Sequence, residues 1–318
     1  MILLALPPDL NDELAYADHF VQQRLGARPE VAKLSQRYLA SVEDLKLRAA
    51  LVLLAARPGT ATIADLGHAA AAAELIHLAA LVHQELVDEA RRRRGTVTEQ
   101  NQWEHGAALM LGDYFFALSA GEMALAPDSR VITYYSQAVM RICEGELAPV
   151  MSATPLEDAL QQYFYKIGCK TAALFASAAR AGMAIGGGSD AQIEHLGEYG
   201  YQLGLAFEVV NDILDYSGTP GLPDRPTGRD VQRGLITLPL IYAVHAGGGS
   251  DLAAVVDTHE PAQVAWAVQE VQRLGVPRAW AEARRLIETA QSHLEAFPAS
   301  TARQQLHDVA ASLLRWQA

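Results

Sequence analysis

Apolar residues recur along this chain at intervals of three and four rather than two, the period of helices buried along one side. The pattern predicts helices over residues 10–25, 29–39, 42–56, 63–92, 103–125, 129–150, 156–184, 191–216, 237–246, 262–274, 277–296 and 302–316. The breaks between them carry turn chemistry: Arg57-Pro58-Gly59, Ala126-Pro127-Asp128, Gly186 to Ser189 and Gly247 to Ser250. Thr62 to Asp65 and Ser189 read as helix starts. No stretch carries a strong strand signal, and neither a linker nor a fixed-period repeat divides the chain. The expected fold class is all-α, with residues 1–318 forming a single domain.

Two of these helices end in acid. Glu85, Asp88 and Glu89 lie three and four residues apart, so a helix holds them along one side. Arg91 to Arg94 and Gly95 follow directly. The second cluster is Asn211-Asp212-Ile213-Leu214-Asp215, followed by the longest non-helical stretch, 217–234, rich in Gly, Pro and Asp. A loop this long inside a helical domain is usually functional or mobile. If the two helices lie side by side, their acids meet across a shared opening. A hard divalent cation such as magnesium takes oxygen ligands and keeps positions for phosphate oxygens, and nearby basic residues would complete a diphosphate site. An apolar cavity beneath suits a hydrocarbon with a charged head.

Each feature also has a plainer role. Glu85, Asp88 and Glu89 alone fit a solvated helix end. Arg91 to Arg94 fit last-turn cations, with Gly95 as the cap. His77 and His83 suit core histidines as well as ligands. Asp113, Glu144 and Glu146 read as structural, Trp103 and Trp316 as packing residues. His19, His68, His105 and His195 lack metal-ligand spacing.

Half of the 318 residues are apolar and the formal net charge is -12. That supplies a core and excludes a disordered chain. It also excludes a general nucleic-acid binder, since a polyanion site would have to be local. Cys143 and Cys169 read as reduced core thiols. The apolar start MILLAL is short and has no basic leader, so it does not read as a secretory signal. No apolar run is expected to reach a membrane-spanning length without a charge or turn signal. The expectation is a cytoplasmic protein with no transmembrane segment and no nucleic-acid partner.

The ordered motifs sharpen this picture. His83-Gln84-Glu85-Leu86-Val87-Asp88-Glu89-Ala90 with Arg93-Arg94-Gly95, then Gly112-Asp113-Tyr114, Glu144-Gly145-Glu146-Leu147, Lys170-Thr171-Ala172, Phe207 with Asn211 to Asp215, and Gly228, Asp230, Gly234 and Thr237-Leu238-Pro239 follow one another with consistent spacing. From about Tyr38 to Ala243 the chain resembles the trans-isoprenyl diphosphate synthases, the polyprenyl synthetase family. The first acidic cluster matches HDDxxDxA…RRG and the second FQxxDDxLD. The resemblance implies a bundle of long antiparallel helices around a central apolar cavity, and condensation of an allylic prenyl diphosphate with isopentenyl diphosphate. Carried over by position, Asp88, Asp212 and Asp215 hold Mg2+, with Glu85 as a longer substitute. Arg93 and Lys170 hold the allylic diphosphate, Arg48, His77 and Arg94 hold isopentenyl diphosphate, and Thr171 and Phe207 also bind substrate. Lys170, Asp212 and Asp88 carry the chemistry. Ala79 and Ala80 face the hydrocarbon channel and leave it open for a product of C20 or longer. A homodimer is the family's default.

The departures are specific. Gln84 and Glu85 stand where the family has two aspartates, and Asn211 where it has a third. The family's GGKRxRP is here Glu43-Asp44-Leu45-Lys46-Leu47-Arg48-Ala49, so the lysine that grips isopentenyl diphosphate becomes Leu45. Lys46 would not replace it, because one step along a helix turns a side chain by about 100°. Glu208 replaces Gln, Arg225 replaces Lys and Leu235 replaces a second Lys. Weakened magnesium binding is expected. Alongside the prenyltransferase stand two alternatives: a non-catalytic, regulatory or structural subunit of a heteromeric prenyl synthase, and a metal-dependent lyase or cyclase acting on one prenyl diphosphate.

Overall fold

The computed structural model describes residues 4–26, 28–39, 46–92, 99–218, 227–257 and 260–317; for 37–39, 85, 87–92 and 99–104 only the backbone is described. Among the described residues the regular structure is helical and no strand occurs. In chain order the α-helices are α1 (Asn11–Gly26), α2 (Pro29–Leu39), α3 (Leu47–Ala56), α4 (Ile63–Arg92), α5 (Glu99–Leu125), α6 (Arg130–Leu147), α7 (Leu156–Ile167), α8 (Ala173–Ile185), α9 (Asp190–Ser217), α10 (Arg229–Gln232), α11 (Leu238–Ala243), α12 (Gly249–Ala253), α13 (Pro261–Leu274), α14 (Val276–His293) and α15 (Thr301–Ala311). The all-α expectation holds.

The expected helix starts are real caps. Asp65 accepts from the Thr62 backbone N–H at 2.9 Å and from its hydroxyl at 2.6 Å. Ser189 and Gln192 form a reciprocal capping box at the head of α9, which satisfies donors that a helix terminus otherwise leaves bare.

The core is built from helices that are apolar nearly all round. Every residue of α3 is buried, as is α4 from Ala69 to Ala79 and most of α8. Such helices belong inside a bundle. They approach closely because glycines sit at the crossings. A Cβ on Gly182 of α8 would lie 2.1 Å from the Val52 carbonyl oxygen of α3. One on Gly204 of α9 would lie 2.6 Å from Ala172 Cα. Buried hydroxyls are paired: Tyr135 donates to the Ala69 carbonyl at 2.9 Å and Tyr199 to that of Leu306 at 2.7 Å.

Several expectations are corrected. The helix expected over 42–56 starts at Leu47, and Lys46 before it is left-handed, with φ 91°. Residues 40–45, Leu45 among them, lie outside the described residues. The helix expected over 156–184 is interrupted by a π turn, Gly168–Ala172; one added residue widens a turn without breaking the apolar period. Cys143 is exposed, not a core thiol, whereas Cys169 is buried. Two segments, Ile63–Gln84 of α4 and His105–Leu125 of α5, are in fact long and apolar enough to span a membrane by length and composition. In α4 most of that segment is buried inside the bundle, and of its two acids, Asp65 and Glu74, the second is enclosed with it.

Candidate active site

One cavity of ≈ 250 Å³ gathers most of the expected residues. From α4 it takes His77, Ala80, Leu81 and Gln84, spaced as one helix stripe. From α9 it takes Phe207, Glu208, Asn211, Asp212 and Asp215, a second stripe facing the first. Arg48 of α3, Ile142 and Glu146 of α6, Lys170 and Thr171 of the π turn, Leu174 of α8, and Arg229 and Asp230 of α10 complete the wall. The two acidic segments, far apart in sequence, thus open on a shared space through Gln84 and Asp212. Arg93 and Arg94 lie outside the described residues, as do the side chains of Glu85 and Asp88, whose backbone continues α4.

The polar side chains are held in place. Tyr163 of α7 donates to Asp212 Oδ2 at 2.6 Å. Burial, reinforced by the negative charges of Asp230 and Glu208, pushes the Asp212 carboxyl well above its usual range. Asp215 Oδ2 accepts the Asp230 backbone N–H at 3.0 Å, and its Oδ1 lies 3.4 Å from Arg229 Nε. Gly228, at φ 75°, donates its N–H to the Asp215 carbonyl at 2.8 Å. These bonds stitch the chain back onto the end of α9 and bring Asp230 into the cavity. Burial first, then the charge of Asp215, pushes the Asp230 carboxyl up to about 6.

The cations come from other elements. Glu208 is the largest influence raising the Lys170 ammonium, with Glu146, Asp212 and Asp230 adding to it. The Thr171 hydroxyl donates to Glu208. Both Lys170 and Thr171 sit on the π turn, a distortion frequent at functional sites. Arg48 is buried, its guanidinium carbon 5.2 Å from the Phe175 ring centroid. Its backbone N–H and that of Ala49 each donate to Glu74 Oε1 at 2.9 Å. A buried carboxylate thereby caps α3 and fixes where Arg48 emerges. Phe175 packs against Phe207 with centroids 5.6 Å apart.

Three readings change here. Ala79 packs against Leu111 and Phe115 of α5 and only Ala80 lines the cavity, because consecutive helix positions diverge by about 100°. Glu146, read as structural, is part of the cavity wall. Lys46, expected on a helix one step from Leu45, instead precedes α3 at a left-handed residue, its Nζ 3.6 Å from Asp18 of α1. His83 takes neither the core nor the ligand role: it is half-buried outside the cavity, its Nε2 3.2 Å from the Leu109 carbonyl and 3.5 Å from Asp113, and Glu144 pairs with Arg141 at the surface. Glu208, Asp230, Arg229 and Tyr163 were given no site role by sequence. Glu208 was detectable at four residues before Asp212; Tyr163 was not, since only folding brings it there.

Among the described residues no three Asp, Glu, His or Cys side chains converge as a metal cage. Magnesium does not require one, since it is commonly held by one or two carboxylates plus substrate phosphates. Asp212 and Asp230, whose ionised forms are disfavoured by burial and by neighbouring carboxylates, fit a cation shared with a phosphate ligand. A stability prediction follows from the sign. Asp230 has a raised native value, so its contribution is full at low pH and is lost as pH rises through about 6. The ligand-free protein will melt at a lower temperature at pH 7 than at pH 5, and magnesium with inorganic diphosphate will narrow that gap; scanning calorimetry checks both.

An all-α bundle with an acid-rimmed, partly apolar cavity at its centre is the architecture of prenyl-chain synthases. The Polyprenyl synthetase family matches residues 30–271. Heptaprenyl diphosphate synthase component 2 of Geobacillus stearothermophilus is 30% identical over 312 residues, covering 98% of each chain. The solved polyprenyl synthase of Caulobacter crescentus CB15, complexed with calcium and isoprenyl diphosphate, superposes with a TM-score of 0.85 at 28% identity, over 97% of this chain and 96% of that one. A decaprenyl diphosphate synthase from Rhodobacter capsulatus gives 0.81 at 29% identity, over 98% of both. The chain belongs to the polyprenyl synthetase family.

Proposed function

We propose that this protein is a prenyltransferase that condenses an allylic prenyl diphosphate with isopentenyl diphosphate, acting as one domain. The observation that carries this reading is the shared cavity: Lys170, Thr171 and Arg48 face the carboxylates of α9 across an opening walled by Ile142, Leu174, Phe207 and Ala80. Magnesium, when bound, would neutralise the departing diphosphate. Asp212 and Asp215, with Glu85 and Asp88 of the other helix, are the residues assigned to hold it. Tyr163 keeps Asp212 turned into the cavity. Lys170 and Thr171 orient the allylic diphosphate, with Arg93 assigned beside them. Arg48, His77 and Arg94 are assigned to isopentenyl diphosphate. Phe207 and Leu174 shield the allylic carbon from water while its bond to oxygen breaks, the new carbon–carbon bond forms and a proton leaves.

A second reading, a subunit of a heteromeric synthase, is favoured by the "component 2" relative and by Gln84, Asn211 and Leu235, which remove charge that the family uses. Incubation of the purified protein with magnesium, isopentenyl diphosphate and each allylic diphosphate separates them. An elongated prenyl diphosphate supports the first. Turnover only with a co-expressed synthase subunit supports the second. Hydrocarbon or alcohol made from one substrate would overturn both in favour of a lyase.

The same reading includes a homodimer. The outward sides of α5 and α6 expose Leu109, Met110, Leu125, Ile132 and Met140, apolar surface of the kind that protein partners cover. Met110→Glu will shift sedimentation from two chains to one; an unchanged sedimentation coefficient would count against this face. A reducing, cytoplasmic setting suits the unpaired Cys143 and Cys169.

A further inference from the structure

A second cavity, of ≈ 10 Å³, lies where α1, α3 and α4 meet. Its wall is apolar at Val21, Ala49 and Ala70, and charged at Asp18 of α1, Lys46 before α3 and Glu74 of α4. Glu74 is 3% exposed. Its Oε1 accepts both N–H groups at the head of α3, from Arg48 and Ala49. Its Oε2 is equally shut off from solvent and accepts no hydrogen bond among the described residues. Lys46 does not meet that need: its half-exposed ammonium lies 3.6 Å from Asp18 instead. A buried charged oxygen without a donor is costly, and in a native fold such an atom marks a place for an ion or a water.

Charge decides between the two. Two carboxylates face one ammonium across the cavity, and the head of α3 offsets only part of the remaining negative charge. A neutral water would leave the rest uncompensated. We infer that this cavity is a binding site for a single monovalent cation of about the size of water, potassium or ammonium, held by Glu74 Oε2 and Asp18. Magnesium does not suit it, since that ion demands a near-ideal octahedral set and keeps several of its waters, whereas ≈ 10 Å³ admits about one water-sized occupant. The site shares no wall residue with the larger cavity and does not rest on the prenyl diphosphate reading. It bears on that cavity through one side chain: the carboxylate that takes the cation also fixes the backbone of Arg48.

Thermal melts of the ligand-free protein in potassium, ammonium and choline chloride test this. Choline carries the same charge but is too large to enter, and equal ionic strength holds general screening constant. Potassium and ammonium at about 150 mM will raise Tm by about 2–4 °C over choline, the scale for a ligand at about ten times its Kd, and the rise will saturate. In Glu74→Gln the amide oxygen keeps the two α3 donors and the amide nitrogen turns into the cavity, so the rise will vanish. Asp18→Asn, on the outer wall, will at least halve it. Circular dichroism establishes that each variant is folded; if Glu74→Gln is not, Asp18→Asn decides. Equal melting of the wild type in all three salts overturns the inference, as does a rise that persists undiminished in a folded variant.

Discussion

Asp212→Asn will lower kcat by about 10²–10³-fold, the usual loss when one preorganised electrostatic contributor is removed from a reacting centre, while the variant melts at a higher temperature than the wild type. The two effects share one cause. Asp212 is held in a buried position beside Asp230 and Glu208, and its ionised form is costly there. Asparagine keeps an acceptor for Tyr163 but removes the charge, so the ligand-free fold loses repulsion. Steady-state kinetics and thermal melts check the pair together. A variant within threefold of wild-type kcat would remove Asp212 from the chemistry. A variant that is both inactive and destabilised would make its role structural.

Gly182→Ala will destabilise the protein by about 2–3 kcal/mol, the range for a methyl forced into a packed core. Intrinsic preference argues the other way, since alanine favours a helix interior over glycine by about 1 kcal/mol. Packing wins because the new Cβ would fall 2.1 Å from the Val52 carbonyl oxygen. That atom is backbone of a buried helix and cannot rotate aside. Separating α3 from α8 also moves Arg48, which emerges from α3 onto Phe175 of α8. Chemical denaturation measures the change; equal or greater stability would mean that the crossing is looser than described.

Much of this was legible in the sequence for a simple reason. Long helices with an apolar stripe repeat their signal many times, so the elements, and Asp212 and Asp215 on one side of α9, can be read from it. Positions set by a single residue were harder. Lys46 is left-handed immediately before α3, yet nothing in its side chain signals it. Ala79 and Ala80 look equivalent in sequence, but only one can face the cavity. Asp230 enters the site because the chain doubles back onto Asp215, a consequence of tertiary contacts. Glu208 illustrates a different gap. Its charge is visible as a replacement for glutamine, but the hydrogen bond it accepts from Thr171 is not, because that residue meets it only where the π turn packs on α9.

The π turn at Gly168–Ala172 has an evolutionary corollary. Its extra residue sets the angular offset between Tyr163 on one side and Leu174 on the other. Side-chain replacement cannot remove that offset; only a deletion can, and a deletion would swing everything downstream by about 100°. The acids around the cavity can therefore be exchanged one at a time while the offset that positions Lys170 and Thr171 stays as it is.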